Sequence, residues 1–391
     1  MKIAIVGYGT AGQAAAIFLA RAGHAIDVYE RSAELHPVGA GFLLQPTGLG
    51  VLEALDLRDA ALVCGQRIER LYGTNPANRK VMDMRYADLA PELFGLGMTR
   101  GALFALLHAQ CADLVSIRTG CRIVATREDG RWLIDDGDCE HGPYDLTIVA
   151  DGSNSTLRAG SELVVRDPLY PWGAMWCLLP ADGWPHTAEL RQRYAGTRTM
   201  LGVLPVGARP DHDPGKRWLT FYYSLPGNAV DAFDAAALAK LQRDVAALWP
   251  ELAERTRFLV DPVQLNRARY RDVVLRCSWR GRCVFIGDAA HGMSPQLGQG
   301  VNMALLDAQA LAASLGVHAD IDVALADYAR QRKSHVAIYR YLSRWLTPLF
   351  QSDHNLLAPL RDTLFGPLGR LPGARTQMLR ILAGTKRGWL R

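Results

Sequence analysis

Apolar positions along this chain recur in two rhythms: short runs or a period of two for strands, and a period near 3.6 for helices. Lys2 to Gly7 is a short apolar run, followed by a helix-patterned stretch to Gly23 and a second run from Ala25 to Glu30. A helix is expected from about Thr47 to Leu55, and a hairpin over 67–75 and 79–86 turning across Asn75-Pro76-Ala77-Asn78. Another helix opens at Arg100. From Val115 to Ala150 the pattern is that of a β-meander, with strands at 122–127 and 131–136, a loop at 137–143 and a buried strand at 145–150. Residues 171–224 then hold several strand-like runs rich in Trp, Tyr, Met and Leu, followed by a helix near 232–249 and one more strand at 256–260. Near Asp272 the chain returns to its first domain. A buried strand at 283–286 leads through a Pro/Gly-rich loop into a long helix ending near Leu315, and helix-patterned segments fill the remainder.

This order predicts an α/β protein in which an antiparallel sheet is inserted into a nucleotide-binding domain. The first strand and helix are joined by Gly7-Tyr8-Gly9-Thr10-Ala11-Gly12, and the second strand ends on Glu30. That is a complete dinucleotide-binding unit: Gly7 makes the turn, Gly9 lets a pyrophosphate approach the backbone, and Gly12 lets helix and strand pack. Glu30 is placed to accept the adenosine ribose hydroxyls, which argues against a 2′-phosphate there.

The densest run of special residues is Gly281 to Leu315. Its apolar strand ends at Gly287-Asp288, which sets a carboxylate at the carboxyl edge of the sheet, where α/β folds bind ligands. Gly298 and Gly300 allow close backbone approach just before a helix whose first N–H groups have no intrahelical partner. An Arg at a helix start, such as Arg100, opposes the helix dipole and so needs another partner; a phosphate would serve.

Composition narrows the class. The 391 residues are 49% hydrophobic and 21% charged, typical of an ordinary globular protein, and no apolar run approaches the ~18 residues of a membrane span. The chain opens directly into a strand, and seven scattered Cys form no CxxC pair, so a reducing cytoplasm is expected and neither a disulfide framework nor a metal site is. The net charge of +5 is mild, with a basic excess from Arg361 through Arg370, Arg375, Arg380, Lys386, Arg387 and Arg391. This reads as a solvated helical C-terminus, with weak contact to an anionic membrane surface, aided by Trp389 and Leu390, as the sharper alternative. No basic-aromatic array suggests nucleic acid. Oligomeric state is open.

A single dinucleotide unit with no redox CxxC, combined with Gly287-Asp288 in the second half, separates the chain from disulfide reductases. GYGTAG with Glu30, VGAGFLLQP, Arg100, IVADGSNSTLR and GDAAHGMSPQLGQGVNMALLDA occur in an order that resembles the single-component FAD-dependent aromatic hydroxylases, the para-hydroxybenzoate hydroxylase-like flavoprotein monooxygenases. The resemblance implies a Rossmann-type FAD-binding domain from 1–72, 98–170 and 271–340, a β-sheet substrate domain from 73–97 and 171–270, and a helical C-terminal region from 341–391. It implies that Glu30 and Arg31 flank the adenosine, Ile123 meets the adenine side, Arg100 the pyrophosphate side, and Asp288 the ribityl hydroxyls. Leu43 would lie in the mobile-flavin loop. Pro295 to Asn302 would line the isoalloxazine, with the Gly298 to Val301 N–H groups, Gly300 included, near its pyrimidine edge. Asp151-Gly152 would serve both FAD and NAD(P)H. Thr47 follows Pro46 where the family often has Asn, so contacts there are open.

The activity so implied is reduction of FAD by NADH or NADPH, reaction with O2 to a flavin C4a-hydroperoxide, and hydroxylation of an aromatic or quinone-like small molecule. A membrane-surface flavoprotein reductase or hydroxylase of a prenylated substrate is the alternative. No acid–base or nucleophile constellation is needed, and His291 is expected to tie down its loop. On the 217–224 strand, Trp218, Thr220 and Tyr222 share one face, while Leu219, Phe221 and Tyr223 share the other. Tyr222 is the candidate substrate contact, with Arg198 a candidate anion contact. Trp172 and Trp176 are read as sheet packing.

Overall fold

The computed structural model describes residues 1–35, 40–213, 215–369 and 371–388. Its first layer is a six-stranded sheet in the order Trp279–Arg280, Cys283–Phe285, Leu146–Val149, Lys2–Val6, Ala25–Tyr29, Ser116–Arg118. All neighbours are parallel except the edge strand Trp279–Arg280. The alternation of the first strand divides the packing cleanly. Ile3 and Ile5 face a core shared with the helices Thr10–Arg21, Arg100–Cys111 and Gly300–Val317. Ala4 and Val6 face Ile123, Leu133, Tyr144 and Phe285 on the other side. Both faces are thus covered, as a parallel sheet requires.

The expected meander resolves into two sheets. Ile123–Arg127, Trp132–Asp135 and Glu140–His141 form a three-stranded antiparallel sheet, the last strand falling in the expected loop. Ser116–Arg118 and Leu146–Val149, at the two ends of that stretch, belong instead to the parallel sheet.

The inserted sheet has seven strands in the order Asn266–Arg271, Leu169–Pro180, Trp218–Pro226, Thr199–Gly207, Glu189–Ala195, Arg70–Thr74, Lys80–Arg85. It is antiparallel apart from one parallel pair, Glu189–Ala195 with Arg70–Thr74. Met175, Cys177, Leu201, Val203, Leu219, Phe221 and Tyr223 cover one face and pack on Leu238, Leu241 and Val245 of the helix Ala235–Leu248. The strand expected at 256–260 is absent. Residues Pro250–Thr256 are helical, and of the following apolar trio only Leu259 is buried, while Phe258 and Val260 are exposed. A single anchor plugging the sheet–helix core is not a strand, and the ladder partner comes later, at Asn266–Arg271.

A further small sheet of three strands, Gly41–Leu44, Gly95–Thr99 and Gln66–Ile68, lies between the two large layers. Gly97 makes that contact possible, since a Cβ there would sit 1.9 Å from the Pro205 carbonyl oxygen. The C-terminal part is helical: Ile321–Phe350, Leu357–Leu368 and Pro372–Leu382. One expectation needs correction: among the described residues, Gly300–Val317 does have the length and apolar character of a membrane span. Half of it is buried inside the protein, and it is the core helix against which Thr10–Arg21 packs.

Candidate active site

The glycines of the first turn divide their labour as spacing predicts. Gly7 has φ +102°, and a Cβ on it would lie 2.5 Å from the Ala150 carbonyl oxygen; one on Gly12 would lie 2.0 Å from the Gly7 carbonyl oxygen. Both are needed for packing. Gly9, at the helix start, faces open space, so its backbone is free to meet a ligand. Ala11 is buried, and its methyl lies against Gly287, which has φ +59°. Glu30 closes the second strand and accepts the N–H groups of Tyr8 at 2.8 Å and Ser32 at 2.9 Å. A carboxylate has about four acceptor sites, so these bonds orient it and still leave capacity for hydroxyls.

Two further turns complete the cleft. Asp151 and Gly152 follow the strand Leu146–Val149, and Gly287 and Asp288 follow Cys283–Phe285. Arg158, 1% exposed, joins them. Its guanidinium donates to the carbonyls of Gly152, Ser153, Asp288 and Ala289 and pairs with Asp167 at 2.9 Å. With that scaffold fixed, Asp288 is exposed on the cleft side, 3.8 Å from where a Cβ on Gly300 would be. Asp151 Oδ1 is buried with no partner, and burial pushes this carboxyl above its ordinary value despite Ser155, Arg158 and Arg31 nearby. Arg31 itself is exposed.

The loop Pro295–Leu297 is a short 3-10 turn capped by Ser294 and ended by Gly298 at φ +62°, which faces open space. The helix then begins at Gly300, with Val301 half-buried behind it. Asn302 is turned the other way. Its Oδ1 accepts from Gln45 N–H at 2.8 Å, and its Nδ2 donates to Leu43 and Gly298 carbonyls. Its side chain therefore clasps the neighbouring strand, and only its main chain can reach the cleft. Leu43 packs its side chain into a core with Tyr86 and Leu204. Ile123 is likewise a core side chain, so its contribution on the adenine side is limited to main chain. Val38 and Gly39 lie outside the described residues.

On the substrate side, the second face of the seven-stranded sheet carries Trp172, Trp176, Thr220, Tyr222 and Tyr270. Gly41 N–H donates to Thr220 Oγ1 at 3.1 Å, and the Tyr222 hydroxyl donates to the Gly41 carbonyl. This face therefore abuts the strand that leads into Leu43. Burial raises both tyrosines' pKa values, that of Tyr270 to about 12, while the Arg100 charge opposes the rise in each. Arg100, exposed at its helix start, so lies close to two phenols on the substrate face. Arg198 does not join them. It sits between Glu189–Ala195 and Thr199–Gly207, is half-exposed to solvent and pairs with Asp353 at 3.0 Å.

Sequence patterns did not reveal Tyr270, nor the buried cluster around Asp307. That carboxylate accepts from Gly287 N–H at 2.8 Å, His291 Nε2 at 2.6 Å and Arg332 Nε at 2.6 Å. Burial works against its ionisation, but the His291 and Arg332 charges win and hold it well below the usual carboxylate range. His291 is thus a structural tie. Away from the cleft, Cys121, Asp135 and His141 have ligand-type atoms within 4.8 Å of one another. Arg118, which can only donate, approaches His141 Nδ1 at 3.4 Å, so Nε2 carries the proton and donates to Asp135 at 2.8 Å.

The residues present fit FAD. Open-faced Gly9 and Gly152, the orphaned Asp151 oxygen and the cleft-facing Asp288 lie at the carboxyl ends of adjacent parallel strands, and open-faced Gly298 ends the turn before the helix Gly300–Val317. Fold and site define a flavoprotein with a single dinucleotide unit and a separate substrate sheet. The family model described as FAD binding domain matches residues 1–338, and the chain belongs to that family, the para-hydroxybenzoate hydroxylase-like FAD-dependent aromatic hydroxylases. It is 29% identical to the FAD-dependent urate hydroxylase of Klebsiella pneumoniae, covering 86% of this chain and 87% of that one. It is 30% identical to the aurachin C monooxygenase/isomerase of Stigmatella aurantiaca, covering 85% of each. Its fold matches the crystal structure of Klebsiella pneumoniae HpxO complexed with FAD and uric acid, with a TM-score of 0.81 at 23% identity over 100% of this chain and 98% of that one. The protein is an FAD-dependent monooxygenase.

Proposed function

We propose that this monooxygenase hydroxylates a small, planar, electron-rich aromatic or quinone-like compound held between the Pro295–Val301 loop and the sheet face bearing Trp172, Trp176, Tyr222 and Tyr270. The observation that carries this reading is the contact of that aromatic face with Gly41 through Thr220 and Tyr222, which brings it to the strand entering the expected flavin loop. Aromatic side chains supply large flat contact area and their hydroxyls supply orientation.

In this reading Gly9, Glu30, Arg31 and the Ile123 main chain hold the adenosine and pyrophosphate end of FAD. Arg100 shares the pyrophosphate side, Asp288 takes the ribityl hydroxyls, and the Gly300 and Val301 N–H groups face the ring's pyrimidine edge, the Gly298 N–H being taken by the Pro295 carbonyl at 2.8 Å. FAD supplies the reduction by NADH or NADPH and the activation of O2; the chain supplies binding, orientation and exclusion of water. The start of the helix Gly300–Val317 favours negative charge at its end by on the order of 1 kcal/mol.

A reducing, cytoplasmic setting is part of this proposal, on the scattered spacing of the seven cysteines along the chain, without a CxxC pair. The basic C-terminus gives little support to membrane contact. Arg361 and Lys386 are buried and Arg375 pairs with Asp88, while Arg370, Trp389, Leu390 and Arg391 lie outside the described residues. The test is to purify the protein, confirm a flavin spectrum, and follow NAD(P)H oxidation over a panel of phenols, aminobenzoates, purines and quinolones. Substrate-stimulated, O2-dependent NAD(P)H use with a product gaining one oxygen supports the proposal. Stimulation confined to prenylated lipids, or reduction of one without O2, defeats it.

A further inference from the structure

The helix Pro372–Leu382 ends against the loop that carries Gly298 and Gly300. The last four carbonyls of a helix lack intrahelical partners. Here Gln299 serves two of them, its Nε2 donating to the Leu382 carbonyl at 2.8 Å and the Ile381 carbonyl at 3.4 Å. Gln299 is buried, so its side chain is committed to that helix end while the main chain of 298–300 stays turned toward the cleft. Gly384 follows at φ +81°, where an L side chain is strained. A Cβ there would also lie 2.3 Å from Thr47 Oγ1 and 3.3 Å from Gln299 Oε1. The segment 381–384 is therefore wedged between the Gly298 loop and the helix that follows the Gly41–Leu44 strand.

A second tie reaches the other cofactor turn. The Gly384 carbonyl lies 3.0 Å from His335 Nε2, and Arg332 Nη1 lies 2.9 Å from His335 Nδ1. A guanidinium only donates, so Nδ1 accepts and Nε2 carries the proton given to Gly384. Arg332 Nε donates to Asp307, whose other oxygen accepts the Gly287 N–H one residue before Asp288. A continuous buried chain of hydrogen bonds, Gly287–Asp307–Arg332–His335–Gly384, thus links the Asp288 turn to the C-terminal segment. That segment is linked in turn to the Gly298 loop through Gln299.

We propose that residues 381–384 are a built part of the flavin site, and that Gln299 is a positioning residue that fixes the 298–300 main chain for the ring by anchoring it to this segment. The proposal rests on the placement of the isoalloxazine along Pro295–Asn302. In full-length protein, Gln299→Ala and Gly384→Val should each weaken FAD binding about tenfold or more. Each should also alter the visible spectrum of the bound flavin and move its midpoint potential to a more negative value, because the N–H groups facing the pyrimidine edge lose their register. Melting of the apoprotein serves as the fold control, and Thr47→Ala replaces Gly384→Val if the latter does not fold. Wild-type FAD affinity, spectrum and potential in Gln299→Ala and in the folded partner variant overturn the proposal. Asp288→Ala separates the two readings. If it loses FAD while Gln299→Ala is normal, this inference alone fails; if it keeps FAD at wild-type affinity, the placement of the cofactor fails as well.

Discussion

At the scale of single residues, Arg158 shows how much one side chain can organise. It closes the motif IVADGSNSTLR, but its role is not written there, because its partners are carbonyls of two turns far apart in the chain. In the fold it is nearly fully buried, paired with Asp167, and bound to Gly152, Ser153, Asp288 and Ala289. Removing it leaves buried carbonyls without a donor, which costs roughly 1–3 kcal/mol, while Asp167 keeps Arg271 at 3.2 Å. Arg158→Ala should therefore lower the unfolding free energy by about that amount, read from denaturant titration, and lose FAD. Arg158→Lys should recover little, since one ammonium cannot span both turns. A stable Arg158→Ala protein with normal flavin content would disprove this. Tyr222 and Arg198 make the complementary point. Both stand on neighbouring strand sequences with suitable chemistry, yet Tyr222 meets Gly41 whereas Arg198 meets Asp353 at the surface. Strand periodicity assigns a face; it does not say how far along a strand the sheet leaves the protein.

At the scale of elements, the dinucleotide unit was almost wholly legible, because strand, turn, helix and acid are close in sequence and each glycine answers a local steric demand. Gly12 carries the sharpest such demand, since a Cβ would sit 2.0 Å from the Gly7 carbonyl oxygen. Gly12→Val should force the first helix from its strand and destabilise the protein by about 1–3 kcal/mol or more. Gly9→Ala, facing open space in the protein itself, should leave apoprotein stability within about 0.5 kcal/mol. Thermal melts of the two apoproteins check the contrast, and equal effects would contradict it. The strand misplaced at 256–260 shows the limit of the same reading. Three consecutive apolar residues carry no period, and only the packing reveals that Leu259 alone is an anchor.

For the whole molecule, acid sensitivity follows from the buried chain that joins the Asp288 turn to the C-terminal segment. Burial, aided by the Arg332 charge, lowers the His335 pKa from 6.5 to about 4, the Gly384 hydrogen bond opposing. Between those values the unfolded chain holds a proton on this imidazole that the native one does not. Stability is thus fully expressed above about pH 6.5 and falls as pH drops toward 4, by on the order of 3 kcal/mol. His335→Gln, which can still donate to the Gly384 carbonyl, should lose some stability at pH 7 and show a flatter acid limb. Denaturation midpoints at pH 7, 6 and 5 measure it; an unchanged slope in the variant would assign the acid loss to other groups.

What the sequence determined by itself is the set of features written locally: the dinucleotide turn, the Gly287-Asp288 strand end, the Gly298–Gly300 helix start, and from their order the family and its cofactor. These survive without the fold because they depend on backbone conformation and neighbours within a few residues. The tertiary structure decided what depends on chain segments meeting across hundreds of residues. It chose which face of the aromatic sheet approaches Gly41, sent Asn302 into Leu43 and Gln45, and packed the segment 381–384 against the Gly298 loop. There Gln299 and His335 bind the end of the last helix. A buried donor must find an acceptor somewhere, and its sequence position alone does not say where.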